Sequence, residues 1–182
     1  MEPFSTESTL DHHSASPSDV STDPENPFSV EMVVQSNSQS ADSELPAPDR
    51  WQTWFKIWLG QIQPDYSPIQ SYELSLSLTT DDEIQALNRQ YRQLDKPTNV
   101  LAFALLDGEL PPIDVLASLP VELGDIIISV ETAQREAQQH EHSLECELAW
   151  LASHGLLHLL GWDHPNDQRL KQMLDQQAAL LR

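Results

Sequence analysis

Three histidines within eleven residues restrict what this chain can build more than any other feature of it. Ser153 to Asp167 reads SHGLLHLLGWDHPND, so His154, His158 and His164 have the spacing H-x3-H-x5-H. The apolar run from Leu144 to Leu160 predicts one helix, on which four residues turn the chain by about 400° and set His154 and His158 on one face, a turn apart. Gly161 follows the last apolar residue, where helices often end in a left-handed residue, and the chain can then reverse to return His164 as a third ligand. Trp162 and Asp163 complete that turn. Neutral imidazole nitrogens hold zinc at about 2.0–2.1 Å, and three protein ligands leave a fourth position for water. An ion held in this way lowers the pKa of its water towards about 7 and polarises a carbonyl or phosphoryl oxygen. The spacing therefore predicts a catalytic metal rather than a brace. His12, His13, His140 and His142 lie in polar sequence without this geometry and are expected to be solvated.

At 182 residues and 39% apolar content the chain suits one domain with an appendage. A lone cysteine, Cys146, excludes an internal disulfide and is expected to be a small buried hydrophobe in the apolar helix. No run of about 18 apolar residues and no secretory signal pattern occurs, so a cytoplasmic protein is expected. The formal charge of -20 argues against indiscriminate nucleic-acid binding, which depends on neutralising phosphates with Lys and Arg. Half of that excess lies in residues 1–49, which hold ten acidic and no basic side chains.

Met1 to Pro27 is rich in Ser, Thr, Pro, Asp and Glu and is expected to be a disordered extension, leaving residues 28–182 as the domain. SVEMVVQ, from Ser29 to Gln35, reads as a strand, and Ser36 to Asp49 as a loop. Trp51, Trp54, Phe55, Trp58 and Leu59 recur at three and four, the buried stripe of a helix. Tyr72 to Thr79 alternates strictly and predicts a second strand. Thr80 with Glu83 forms a capping box for a helix over Asp81 to Arg92, with Ile84, Leu87 and Tyr91 inward. Lys96-Pro97-Thr98 breaks the chain before a buried strand over Val100 to Leu105. Leu106 to Leu123 reads as a long surface loop, and GDIIISV, from Gly124, as a fourth strand. A polar helix is expected from about Glu131 to His142. After the histidine helix, Asn166 or Asp167 caps a last one, with Leu170, Met173, Leu174 and Leu181 inward.

Two hydrolytic chemistries suit an open three-histidine metal. Zinc proteases place a glutamate base between two histidines at i and i+4, but Gly155 stands there, so the usual proton acceptor is missing. Phosphodiester hydrolysis piles negative charge on non-bridging oxygens, which a metal and an arginine stabilise together, and RNA adds a 2′-OH as an internal nucleophile. Arg92 is the candidate, because its planar fork matches a phosphate and the turn after it can face the metal. Arg89, Arg92 and Lys96 are the densest positive charge in an acidic chain. A third reading keeps the metal as a structural clip in a ribosome- or protein-binding adaptor, although structural zinc usually has four protein ligands. No side chain declares itself the general base. Asp163 suits either an outer partner for an imidazole N–H or a cap for the turn.

The pattern H-G-x-L-H-L-x-G-x-D-H, complete from His154 to His164, resembles the signature of the YbeY family of bacterial endoribonucleases that mature ribosomal RNA. L-N-x-x-Y-R-x-x-D-x-P-T-[DN]-V-L-[SA]-F, matched from Leu87 to Phe103, and Leu123-Gly124-Asp125-Ile126 resemble two further motifs of that family. Ala102 and Ala104 depart from its commonest form, which often has Ser and Pro there. The resemblance implies a compact α+β domain with a four-stranded mixed sheet flanked by helices. It implies one zinc on His154, His158 and His164, though nickel or another divalent ion also suits three imidazoles. Arg92 and His154 are then the catalytic residues, and Arg92 and Lys96 contact the substrate. The implied substrate is single-stranded RNA, in ribosomal RNA precursors and at the small-subunit 3′ end, with a part in ribosome quality control. The implied partners are the small ribosomal subunit and a ribosomal protein or GTPase, without membrane or DNA.

Overall fold

The structure, a computed structural model, describes residues 26–37, 45–106 and 110–182. His12, His13 and the expected acidic extension, except Asn26 and Pro27, lie outside these residues. The elements follow in the order β1 (Ser29–Ser36), α1 (Pro48–Ile62), β2 (Ser71–Thr79), α2 (Asp81–Arg92), β3 (Val100–Ala104), α3 (Ile113–Leu116), β4 (Val121–Ser129), α4 (Val130–Gln139), α5 (Leu144–Leu159) and α6 (Asp167–Leu180). The sheet order is β1-β2-β4-β3, with β1, β2 and β4 parallel and β3 antiparallel to β4. This is the four-stranded mixed α+β architecture that the family resemblance implies.

Strand alternation decides which side of the sheet is covered, because successive side chains point to opposite faces. Tyr72, Leu74, Leu76 and Leu78 are buried on one side, in register with Val121, Gly124, Ile126 and Ile128 of β4, while Ser75 and Asp125 pair on the other. The aromatic stripe of α1 is core, as expected, with Trp51 and Trp54 edge to face at 5.1 Å. α5 is buried on nearly all sides, which suits its continuous apolar sequence. Gly155 is the reason α5 can lie so close to the sheet: a Cβ there would stand 2.8 Å from Ile126 Cγ2.

Several local expectations need correction. Tyr91 points outward, 59% exposed, and its ring meets the edge of Phe103 at 5.0 Å. Asn88 takes the inward place because its Nδ2 donates to the Lys96 carbonyl at 2.8 Å, so a polar group is satisfied inside the fold. The capping box is half formed: Thr80 accepts from the Glu83 amide, but the Glu83 carboxylate turns to the Thr79 hydroxyl. The long loop contains α3 and the start of β4, because Val121 and Leu123 are buried on either side of exposed Glu122. Gly124, at φ +125 and beside the register shift of β2, is a bulge within the strand rather than its beginning. Cys146 is only half-buried, because the helix turns Glu147 inward instead. His140 and His142, expected to be solvated, both lie against that Glu147 carboxylate. In α6 the buried set is Met173, Gln177 and Leu180, with Leu170, Leu174 and Leu181 half-buried. Asn166, not Asp167, caps that helix, accepting from the Arg169 amide at 3.0 Å.

Gly155→Ala forces a methyl against Ile126 and is expected to cost about 1–3 kcal/mol, the usual range for overpacking. A lower urea midpoint with an unchanged slope checks this.

Candidate metal centre

The three histidines are placed by one helix and the turn that ends it. Ser143 starts α5 by accepting from the Cys146 amide at 3.2 Å. At the other end Gly161, at φ +81, donates to the His158 carbonyl at 3.0 Å, and Trp162 donates to the Leu157 carbonyl at 3.0 Å. These two bonds form a Schellman stop, which needs the left-handed residue that glycine supplies. Tyr66 donates its hydroxyl to the Leu160 carbonyl at 3.2 Å and ties down the same end. The chain after the stop runs back past α5, and His164 arrives beside the helical pair.

The predicted triad is assembled. The ring centroids lie 4.7 Å apart for His154 and His158, 5.3 Å for His158 and His164, and 5.9 Å for His154 and His164. One ring nitrogen from each falls within 4.8 Å of the others. The outer nitrogens of the helical pair are occupied. His158 Nδ1 donates to the Trp162 carbonyl at 2.9 Å, and His154 Nδ1 donates to Gln177 Oε1 at 3.2 Å. Gln177 is held in turn by its Nε2, which donates to the Trp150 carbonyl at 2.7 Å. With Nδ1 carrying the proton, each Nε2 presents a lone pair to the centre, and the two Nε2 atoms are 3.1 Å apart. Two lone pairs at that distance repel unless a positive charge sits between them. Tetrahedral donors about 2.0–2.1 Å from one zinc stand roughly 3.3 Å from each other, so the donor set fits such an ion.

Electrostatics point the same way. Burial, followed by the neighbouring charge of His158, pushes the His154 imidazole down to about 4. Burial and then the charge of His164 lower that of His158. Both rings are therefore neutral near pH 7, the form that binds a metal. Arg92, at the end of α2, is close enough for its charge to depress both groups. Arg89 is drawn to Asp95 at 3.8 Å, whereas Arg92 has no ion-pair partner among the described residues. Lys96 stands exposed on the following turn. Asp163 caps the turn, accepting from the His164 amide at 2.8 Å. Gln177 is the contributor that the sequence reading passes over. Its place in the Met173-Gln177-Leu180 stripe, a polar residue at core spacing, was the available signal.

Fold and site together define an α+β protein with a centre of three histidines that could hold a metal ion. The endoribonuclease YbeY family model matches residues 35–182. Proteins named endoribonuclease YbeY are similar over most of the chain. That of Acaryochloris marina is 62% identical, covering 72% of this chain and 74% of its own. That of Nostoc sp. is 55% identical over 77% and 76%, and that of Synechocystis sp. 44% over 86% and 90%. A solution structure from Thermotoga maritima, TM1509, superposes with a TM-score of 0.51 at 25% identity, over 83% of this chain and 87% of that one. The chain belongs to the endoribonuclease YbeY family.

Acid should destabilise the metal-free protein. An unfolded imidazole titrates near 6.5 and the folded His154 near 4, so between these values the unfolded state binds the extra proton and stability falls as pH falls. Chelator-treated protein is expected to unfold at lower urea at pH 5 than at pH 7, with a smaller difference in His154→Ala.

Proposed function

We propose that the protein, an endoribonuclease by family, cuts single-stranded RNA in ribosomal RNA maturation, including the small-subunit 3′ end, and in ribosome quality control. The observation that carries this reading is the convergence of three imidazole nitrogens beside Arg92, which has no ion-pair partner among the described residues. His154, His158 and His164 would hold one zinc, or another divalent ion suited to three imidazoles. When bound, that ion supplies Lewis-acid stabilisation of a phosphoryl oxygen and an acidified water. Arg92 anchors a non-bridging phosphate oxygen, and exposed Lys96 extends the positive strip along the strand. His154 acts at the reacting phosphate as the ligand whose ring Gln177 holds in place. Attack by the 2′-OH of the substrate fits this arrangement, as does attack by water.

Charge explains why the strip must be local. At -20 overall the chain repels a polyanion except where Arg92, Lys96 and the centre meet it. A ribosomal protein or GTPase on the small subunit would supply the remaining affinity. The activity belongs to residues 28–182 and to the cytoplasm, and the acidic extension is not needed for it. Among the described residues no helix is long and apolar enough to cross a membrane.

The protease reading loses its base for a geometric reason. Position 155 faces Ile126 in the sheet, so a glutamate there would enter the core instead of reaching the centre. The adaptor reading needs a fourth ligand, and none joins the triad among the described residues.

Purified protein is expected to cut single-stranded RNA but not the matching DNA, and to stop when a chelator is added. Cleavage of casein, or of RNA in chelator at an undiminished rate, would overturn the reading. Arg92→Ala is expected to lower turnover about 10²-fold with metal content unchanged, the scale of losing one charge-stabilising donor. His158→Ala is expected to lose both metal and activity.

A further inference from the structure

A second group of donors gathers around Glu147, which shares a stripe of α5 with His154. Glu147 precedes His154 by seven residues, which advance a helix by about 10 Å and return it almost to the same angle. Its carboxylate is only 2% exposed. The turn between α4 and α5 brings two imidazoles to it, with His142 Nε2 2.5 Å and His140 Nδ1 3.3 Å from Glu147 Oε2. The turn is shaped for this convergence. Glu141, between the two histidines, takes φ +57, a conformation uncommon for a residue with a side chain. The amide of His142 reaches back to the Ala137 carbonyl at 3.1 Å, so α4 ends in a Schellman stop without a glycine.

A second carboxylate adjoins the first. Glu136, one turn before His140 on α4, holds Asn99 Nδ2 at 3.3 and 3.1 Å and meets Glu147 side chain to side chain. Burial, and then the negative charge of Glu147, push the Glu136 carboxyl above its ordinary range. Two adjoining carboxylates, one of them almost fully withdrawn from water, need positive charge nearby, and imidazoles supply it only when protonated.

We propose that His140, His142 and Glu147 form a second site for a divalent transition ion of the zinc class, with Glu136 as the neighbouring outer carboxylate. Two imidazole nitrogens and a carboxylate oxygen are a recognised donor set for zinc, and the three ligand atoms lie within 4.8 Å of one another. Tetrahedral donors about 3.3 Å apart match the His140–Glu147 separation. The His142–Glu147 contact is shorter than that spacing. An ion would part the two groups by less than about 1 Å to reach the donor spacing. The ion clips the end of α4 to the first turns of α5, the helix that carries His154 and His158. It shares no residue with the triad, so either centre can be present without the other.

The test is a zinc titration of the full chain followed by dialysis and measurement of bound metal. The double variant His140→Ala/His142→Ala is expected to hold one zinc fewer than the wild type and to unfold cooperatively, since His140 is half-exposed and His142 lies at a turn. His158→Ala is expected to lose a different zinc and to keep the second. X-ray absorption of the zinc that remains on His158→Ala should show two imidazoles with oxygen neighbours. Equal zinc content in wild type and the double variant would overturn the proposal, as would a zinc on His158→Ala with no imidazole neighbours. Loss of ribonuclease activity in His158→Ala alone bears on the triad and leaves the second site standing, so the two readings fail separately.

Discussion

The contact between Gly155 and Ile126 sets the position of everything that follows in the chain. Because a hydrogen replaces a side chain at that point, α5 rests directly on β4, and the residues before and after Gly155 are carried at a fixed height above the sheet. His154 and His158 straddle this contact. Their geometry is thus determined by packing between helix and sheet rather than by a loop. The same glycine explains why a proteolytic base cannot stand between them, so a single absent side chain both seats the helix and restricts the chemistry.

Burial and hydrogen bonding then act on the imidazoles in opposite directions. Withdrawal from water favours the neutral rings, while Gln177 and the Trp162 carbonyl favour a proton on Nδ1. The outcome is a pair of neutral rings in one tautomer, with both free nitrogens turned inward. Arg92 is tolerated beside them because it faces solvent at a helix end, where its charge repels protons from the rings yet remains open to an anion. Arg89, Arg92 and Lys96 form the densest run of positive charge in an acidic chain.

Much of this was legible in the sequence, and the parts that were not share a cause. The histidine helix, its glycine stop and the return of His164 could be read because each rests on local rules of periodicity and turn chemistry. The sheet was legible for the same reason, since Tyr72 to Thr79 alternates cleanly. The errors involve polar groups inside the fold. Asn88 displaces Tyr91 from the interior because the Lys96 carbonyl needs a donor, and Gln177 and Glu147 are buried for comparable reasons. Hydrophobic pattern alone ranks such residues as exposed, and their partners lie between 5 and 27 residues away. Likewise β4 begins before Gly124 because pairing with β2, which is not visible locally, continues across the bulge.

The pinning of His154 and His158 by groups outside the triad has a consequence for how the protein would take up a metal. Since a glutamine, a main-chain carbonyl and the sheet orient these rings, the pocket does not have to be created by the ion that fills it. Loading and loss can proceed on a standing scaffold, without the collapse seen in small domains whose folding energy is supplied by zinc. Occupancy, and with it the working fraction of the protein, would then follow the supply of available ions, while the amount of folded chain stayed constant.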